Sequence, residues 1–381
     1  MKNTGKAIGA IIFVIVIIGI CIGSVIYAQS DYEWDAPWDF GWERGSAELR
    51  NTIELNTTEN TDLSISYSSD NVNIYESDSD KLVVKEYLRD SSDRAKATAS
   101  QNGDKISIVS GWRKPVIFSF WFTDEEHVDV YLPKERIMKL TTEIKSGNID
   151  AAIPIEVPEL NLSVSSGNMD LDVVTGENVS LQAKSGNIDV NVLTGTQTDI
   201  DISSGNVKVN ELVATNTSCQ AKSGNIELEL FTSEESNLEV TSGNIKIDSL
   251  TGNTKVISSS GEIKIQKMTG NIVGEVKSGN IRVDSICGAA DLRASSGNVD
   301  IEFSEIKGNI NAETKSGNVK IIIPANSSFQ FVGDTKGGNI DTSFDDDLSY
   351  DKEGEHAEGT VGSGAEYTIT AYASSGNVSV R

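Results

Sequence analysis

The chain is predicted to be all-β: a two-sheet parallel β-helix, or β-solenoid, of about 19-residue rungs, preceded by one N-terminal transmembrane helix. Three observations carry this. A recurring Ser-Gly-Asn-aliphatic phrase places glycines at Gly147, Gly167, Gly186, Gly205, Gly224, Gly243, Gly261, Gly279, Gly297, Gly317, Gly338 and Gly376. The successive intervals are 20, 19, 19, 19, 19, 18, 18, 18, 20, 21 and 38, the last read as two periods with one rung rewritten. Between glycines the residues alternate, as in Ile188-Asp189-Val190-Asn191-Val192 and Ile226-Glu227-Leu228-Glu229-Leu230, which turns one strand face inward and the other to water.

Residues 1–6 are expected to be a cytoplasmic tail and residues 7–28 a membrane span. The 22 residues from Ala7 to Ala28 carry no charge, follow Lys2 and Lys6, and precede Asp31, Glu33 and Asp35. That length spans a bilayer as a helix, and lysines on the short side remain in the cytoplasm. The repeats are therefore expected outside the cell, on a single-pass cell-membrane protein. A cleaved signal peptide ending at Ile26-Tyr27-Ala28 is the rival, but the apolar stretch exceeds the usual run of about 7–15 residues. Cys21 follows the bulky Ile20, which argues against lipidation.

Residues 29–49 form an aromatic juxtamembrane linker in which Trp34, Trp38 and Trp42 supply three of the five tryptophans. Indole rings favour the headgroup zone, half apolar and half wet, so a membrane-interface anchor accounts for them. A surface that meets a membrane partner or an amphiphilic antibiotic is the sharper alternative.

Residues 50–140 are β-patterned but irregular, and are taken as divergent N-terminal rungs with a cap. Ser68-Ser69-Asp70-Asn71-Val72 resembles the repeat phrase with Asp70 in the glycine's place, and Asn102-Gly103-Asp104 is a second degenerate copy. The apolar run Val116 to Phe122 suits a core strand or a lid over the first rung, since an uncovered terminal rung is an aggregating edge.

Residues 141–381 are the regular solenoid. Glycine admits positive φ, asparagine tolerates the left-handed region, and serine bonds the turn backbone; stacked asparagines would form a hydrogen-bonded ladder. A second turn is expected halfway, at Gly176, Gly195, Gly252, Gly270 and Gly288. Stacking about 12 rungs some 4.8 Å apart gives a rod of roughly 55 Å, and about five inward aliphatics per rung, each worth about 1.5–3 kcal/mol, give an ample core. Lys145, Lys184, Lys222, Lys277 and Lys315 each precede the turn serine, interleaved with Ser165, Ser203, Thr241, Ser259 and Ser295, as a broken basic column. Spacing that avoids repulsion explains it; docking of an anionic wall polymer is the functional alternative. Residues 345–364 are read as an acidic solvated loop without a recognised calcium spacing.

With 57 acidic and 32 basic residues, the formal charge of −25 argues against nucleic acid as a partner. Only His127 and His356 exist, so no histidine-rich metal site or supported nucleophile-base pair is expected, nor any cofactor. Cys219 and Cys287 lie more than three rungs apart, too far for a disulfide, and are expected to be small packing residues. The outward series Asp150, Asp170, Asp189, Lys208, Glu227, Lys246, Lys264, Arg282 lacks the threonine ladder of an ice-binding face.

Val128 to Lys134 leading into Ser146-Gly147-Asn148-Ile149, the recurring Ser-Gly-Asn rungs, and Gly362 to Ala365 running to Ser375-Gly376-Asn377-Val378 together resemble the bacterial putative-adhesin, or toastrack, family of β-strand repeats. The resemblance covers about residues 50–381. Members with one N-terminal helix are LiaG-like accessory proteins of Gram-positive envelope-stress operons, which implies an envelope-facing scaffold and no catalytic residues. The expected function is therefore non-catalytic binding, adhesion or scaffolding at the cell envelope, with envelope proteins or wall polymers as partners. A polysaccharide-processing β-helix is the alternative, to be recognised by a cleft of converging carboxylates with a basic partner.

Overall fold

The computed structural model describes residues 46–113 and 126–381. The predicted span 7–28, the cluster Trp34, Trp38 and Trp42, and the apolar run 116–122 lie outside the described residues. No helix among the described residues is long and apolar enough to cross a membrane.

The middle of the chain stacks as the period requires. Strands Met169–Ser185, Ile188–Ser204, Val207–Ser223 and Ile226–Ser242 pair in parallel, each residue beside the one 19 positions on. The halfway position does not interrupt the first of them: Thr175 and Gly176 stay in register with Thr194 and Gly195. The strands thus bend there without breaking.

One feature of the alternation differs from expectation. In the rung 188–204 the inward residues are Ile188, Val190, Leu193, Thr198, Ile200 and Ile202, all buried. Leu193, rather than Val192, points inward, so the phase slips by one residue after Asn191. Two rungs on, the same slip leaves Leu230 57% exposed and Phe231 2% exposed. A single extra residue bends a strand, and here it adds a corner that lets each rung close round its core.

Both ends are built out of sequence order. At the N-terminal end, strands Thr61–Tyr67 and Asn71–Glu76 form a rung with Asp70 at its corner. On one side it pairs with Ile137–Ser146 and Ile149–Ala151. On the other it pairs with the later strands Lys105–Val109 and His127–Leu132. Asp70 does stand in the glycine's place, because a Cβ on Gly147 would overlap its carbonyl oxygen. Gly103 does not: it turns the hairpin between the antiparallel strands Thr98–Asn102 and Lys105–Val109, with φ +62°.

At the other end, strands Tyr367–Ser375 and Val378–Val380 lie between Val299–Ser316 with Val319–Ile322 and the outermost rung, Phe329–Thr335 with Ile340–Thr342. The 38-residue interval is therefore an excursion to the end of the stack and back, and not two periods with one rewritten rung. The acidic segment 345–364 is more than a solvated loop. Its strand His356–Val361 pairs antiparallel with Phe329–Thr335, Leu348–Tyr350 pairs with it in turn, and Ala357 is fully buried. Antiparallel strands cover the N-terminal end likewise: Lys81–Leu88 against His127–Leu132, then Glu48–Asn56. Such covering removes the open edges that would otherwise pair with another chain. One continuous apolar core runs from Leu63 to Val380.

Candidate functional site

The glycine edge is structural. Eleven of the twelve predicted turn glycines have φ between +131° and +144°; Gly338 alone is not in the positive-φ region. A Cβ at Gly167, Gly186, Gly205 or Gly224 would overlap the carbonyl oxygen of the glycine on the preceding rung, and one on Gly338 would overlap that of Gly376. The predicted asparagine ladder is present, backbone amides donating to the side-chain oxygen of the neighbouring rung on both sides of the Glu262 rung. Asn168 donates to Asn148 at 2.8 Å, Asn206 to Asn187 at 2.9 Å and Asn225 to Asn206 at 3.0 Å. Glu262 keeps this donation, its amide lying 2.8 Å from Asn244 Oδ1. A second, shorter ladder joins Asn253, Asn271 and Ala289 at 3.2 and 3.0 Å. The Thr-Gly-Asn phrases at 251–253 and 269–271 were its visible signal.

Beside the glycine edge stands the basic column. Strand register places Ser374 between Lys315 and Lys336. In spatial order the column therefore ends Lys277, Ser295, Lys315, Ser374, Lys336, with every second rung basic. Lys145, Lys184, Lys222, Lys277, Lys315 and Lys336 are all exposed. At about 4.8 Å per rung, lysines on alternate rungs lie roughly 10 Å apart, which relieves repulsion; between Lys222 and Lys277 two rungs, with Thr241 and Ser259, carry no charge and the row is interrupted.

A concave groove of about 430 Å³ lies on the next face, lined by Asp150, Asp170, Asp172, Asp189, Asn191 and Lys208, among others. Asp150, Asp170 and Asp189 occupy one register position on successive rungs, with Lys208 following. Burial, then repulsion from Asp170, raises the Asp150 carboxyl above its usual range. Asp189 is raised by the same two effects, with Lys208 opposing. Beside them Asn191 Nδ2 donates to Asp172 Oδ1 at 2.9 Å, and Asn210 Nδ2 to Asn191 Oδ1 at 3.1 Å. This amide ladder stiffens one wall. The outward series Asp150, Asp170, Asp189 and Lys208 was visible in the sequence, whereas the concavity was not.

Sequence reasoning missed the ion cluster under the N-terminal cap. Arg113 Nε donates to both oxygens of Asp70 at 3.1 and 3.2 Å, and its Nη2 to Glu86 Oε1 at 2.8 Å. Its Nη1 donates to the Ala95 carbonyl. Glu86 also accepts from Asn51 Nδ2 and the Ala97 amide, both at 2.7 Å. Both carboxylate side chains are fully buried. Burial outweighs the guanidinium and pushes Asp70 up to about 6. The cluster joins Arg113, strand Lys81–Leu88 and the short turn at 93–97 to the corner at Asp70. Residues so far apart in sequence gave no local signal.

At the opposite cap His356 Nδ1 lies 2.7 Å from Asp334 Oδ1, joining the covering strand to the outermost rung. Cys219 is buried in the inward position opposite Ile200, as expected. Cys287 differs from expectation: it is partly exposed, with Sγ donating to Glu305 Oε2 at 3.3 Å. Among the described residues no three His, Cys, Asp or Glu side chains are grouped so as to hold a metal.

No curated protein matches the chain. Among solved structures, one described as a putative adhesin from Parabacteroides distasonis is 16% identical, with a TM-score of 0.42, covering 70% of this chain and 98% of that one. A protein of the same species described as a putative lipid binding protein is 20% identical, with a TM-score of 0.33 and coverages of 71% and 97%. A putative adhesin from Parabacteroides merdae is 13% identical, with a TM-score of 0.30 and coverages of 88% and 98%. The family model described as Toastrack DUF4097 matches residues 60–230, 182–277 and 270–381. With those matches spanning nearly all of a rod of stacked Ser-Gly-Asn rungs, the chain belongs to the toastrack family.

Proposed function

We propose that this protein is a non-catalytic binding or scaffold rod of the bacterial cell envelope, tethered to the membrane by residues 7–28 with its repeats outside. The observation that carries the proposal is the parallel stacking of the rungs, which repeats side chains of one kind along a side of the stack, as in the asparagine ladder and the lysine column. Such a side offers a long contact area to an extended or repetitive partner. The uncharged stretch flanked by Lys2 and Lys6 supports the tether, and Trp34, Trp38 and Trp42 supply aromatic surface of the kind found in interface hot spots.

Crosslinking in intact cells tests the proposal, comparing wild type with a variant in which the three tryptophans are alanine. Partners captured by wild type and lost from the variant, with the rod still folded, support it. Unchanged partners and unchanged membrane association return the tryptophans to a passive anchor. Protease added to intact cells should remove everything beyond about residue 30; full protection of the repeats would reverse the orientation.

A second reading, cleavage of a polysaccharide, is favoured by the groove in which raised carboxyls stand beside Lys208. Two rungs separate Asp150 from Asp189, roughly 10 Å between backbones at strand spacing, near the upper end of the separation used by inverting glycosidases, about 6.5–9.5 Å between carboxyls. Glycan-cleaving activity abolished by Asp150→Asn and Asp189→Asn would replace the first reading with this one.

A further inference from the structure

The rung made by residues 367–380 is not held as the central rungs are. It sits between two rungs that precede it in sequence, pairing with Val299–Ser316 and Val319–Ile322 on one side and with Phe329–Thr335 and Ile340–Thr342 on the other. Its inward residues Ile369, Ala371, Ala373, Val378 and Val380 are fully buried. Among the described residues the outermost rung pairs only with this inserted rung and with its own covering strand His356–Val361. The rung thus fills a slot whose two walls are already joined by the short segment 323–328.

Its entry is a short glycine-bearing link. Gly362 and Gly364 have φ +74° and +70°, and a Cβ on Gly362 would overlap Ser328 Oγ, so the link crosses tightly over the start of the outermost strand. The slot selects its occupant by the same devices as every other rung. Asn377 donates its amide to Asn318 Oδ1 and accepts from the Asn339 amide, both at 2.9 Å. A Cβ on Gly376 would overlap the Gly317 carbonyl. The ligand such a slot recognises is an extended peptide with glycine at the corner, asparagine after it, and small or aliphatic residues at alternate positions.

We propose that this slot is a strand-acceptor site through which two copies of the chain associate, each receiving residues 366–381 of the other. A second copy is the occupant favoured because the segment that meets every register requirement is this chain's own, and because it is joined to the covering strand His356–Val361 by one short link, the kind of hinge through which identical elements are exchanged.

The test uses the full chain with a site-specific protease sequence placed in the 362–365 link. After folding and cleavage, residues 366–381 are expected to remain bound through size-exclusion chromatography. A fluorophore-labelled synthetic peptide of residues 366–381 should then replace them in mild denaturant, and a peptide carrying Gly376→Val should incorporate about tenfold less or worse. Uncleaved protein refolded at high concentration should yield dimers, and the cleaved protein should not. Loss of the segment on cleavage from a rod of unchanged melting temperature would overturn the proposal. So would equal incorporation of both peptides, or strictly monomeric refolding of the uncleaved chain.

Discussion

The amide of Asn339 donates to Oδ1 of Asn377 at 2.9 Å, so a residue 38 positions earlier lies one rung further out along the stack. At the N-terminal end Asn71 accepts the amide of Asn148 at 2.9 Å across 77 positions, and the rung of Asn71 lies inside the later strands Lys105–Val109 and His127–Leu132. Each end of the rod therefore places a rung inside one that is distant in sequence, which ties the caps to the body by strand pairing as well as by chain connection.

The glycine edge makes a direct prediction. Gly224 has φ +131°, and a Cβ there would overlap the Gly205 carbonyl. Gly224→Val should cost about 1–3 kcal/mol or more by thermal or denaturant unfolding. Asn225→Asp keeps the acceptor used by Asn244 and loses only the donation to Asn206 at 3.1 Å, so its cost should be about 1 kcal/mol. Equal stability of wild type and the valine variant would remove the steric reason for the glycine period.

The phase slip is tested by neighbours of similar chemistry. Leu230→Ser should change stability by no more than about 0.5 kcal/mol, because the side chain is exposed. Phe231→Ala should cost about 3–5 kcal/mol through the cavity it leaves. The reverse order would restore strict alternation.

The N-terminal ion cluster predicts an unusual pH response. Asp70 has a folded pKa of about 6, above its ordinary 3.8, because burial disfavours the carboxylate. A raised acid pKa means that the folded state takes up its proton first, so this group adds stability as pH falls from 6 toward 3.8, on the order of 2–3 kcal/mol in all. Denaturant titrations should show a flatter pH dependence for Asp70→Asn across that window. Arg113→Ala, which strands two buried carboxylates, should cost about 3–5 kcal/mol near neutrality.

The opposite cap has the opposite sign. The hydrogen bond to Asp334 raises the His356 pKa above 6.5. Its stabilisation is complete below 6.5 and is lost as pH rises through the folded value. The ring is partly exposed and screened, so the effect should be local. Amide exchange at Thr335, which donates to the Glu355 carbonyl at 2.7 Å, should quicken with pH beyond the intrinsic rate, and His356→Gln should abolish that excess.

Much of the rod was legible because its chemistry is local. Glycine at a positive-φ corner, asparagine after it and alternating strands are demanded within one period, so Gly147 to Gly317 and their ladder could be read directly. The slip that buries Phe231 was hidden because Leu228, Leu230 and Phe231 fit either phase. The end topology was hidden because Gly338 and Gly376 carry the same phrase, and nothing local says which stacks on Gly317. The Asp70, Glu86 and Arg113 cluster is non-local altogether. One clue did exist: in sequence order Lys315 and Lys336 would be adjacent like charges, whereas inserting Ser374 restores the alternation seen at Lys277, Ser295 and Lys315.

That column also provides the most direct test of the out-of-order stack. In a chain with Cys21, Cys219 and Cys287 replaced by alanine, cysteine pairs can be placed at positions 315 and 374, 374 and 336, and 315 and 336. Adjacent rungs lie about 4.8 Å apart, within the reach of about 4.4–6.8 Å that a disulfide requires, whereas alternate rungs do not. Mild oxidation followed by peptide mapping should give disulfides for Lys315→Cys with Ser374→Cys and for Ser374→Cys with Lys336→Cys, and none for Lys315→Cys with Lys336→Cys. A disulfide between positions 315 and 336, with none reaching 374 from 315, would show that the rungs stack in sequence order and would contradict the account.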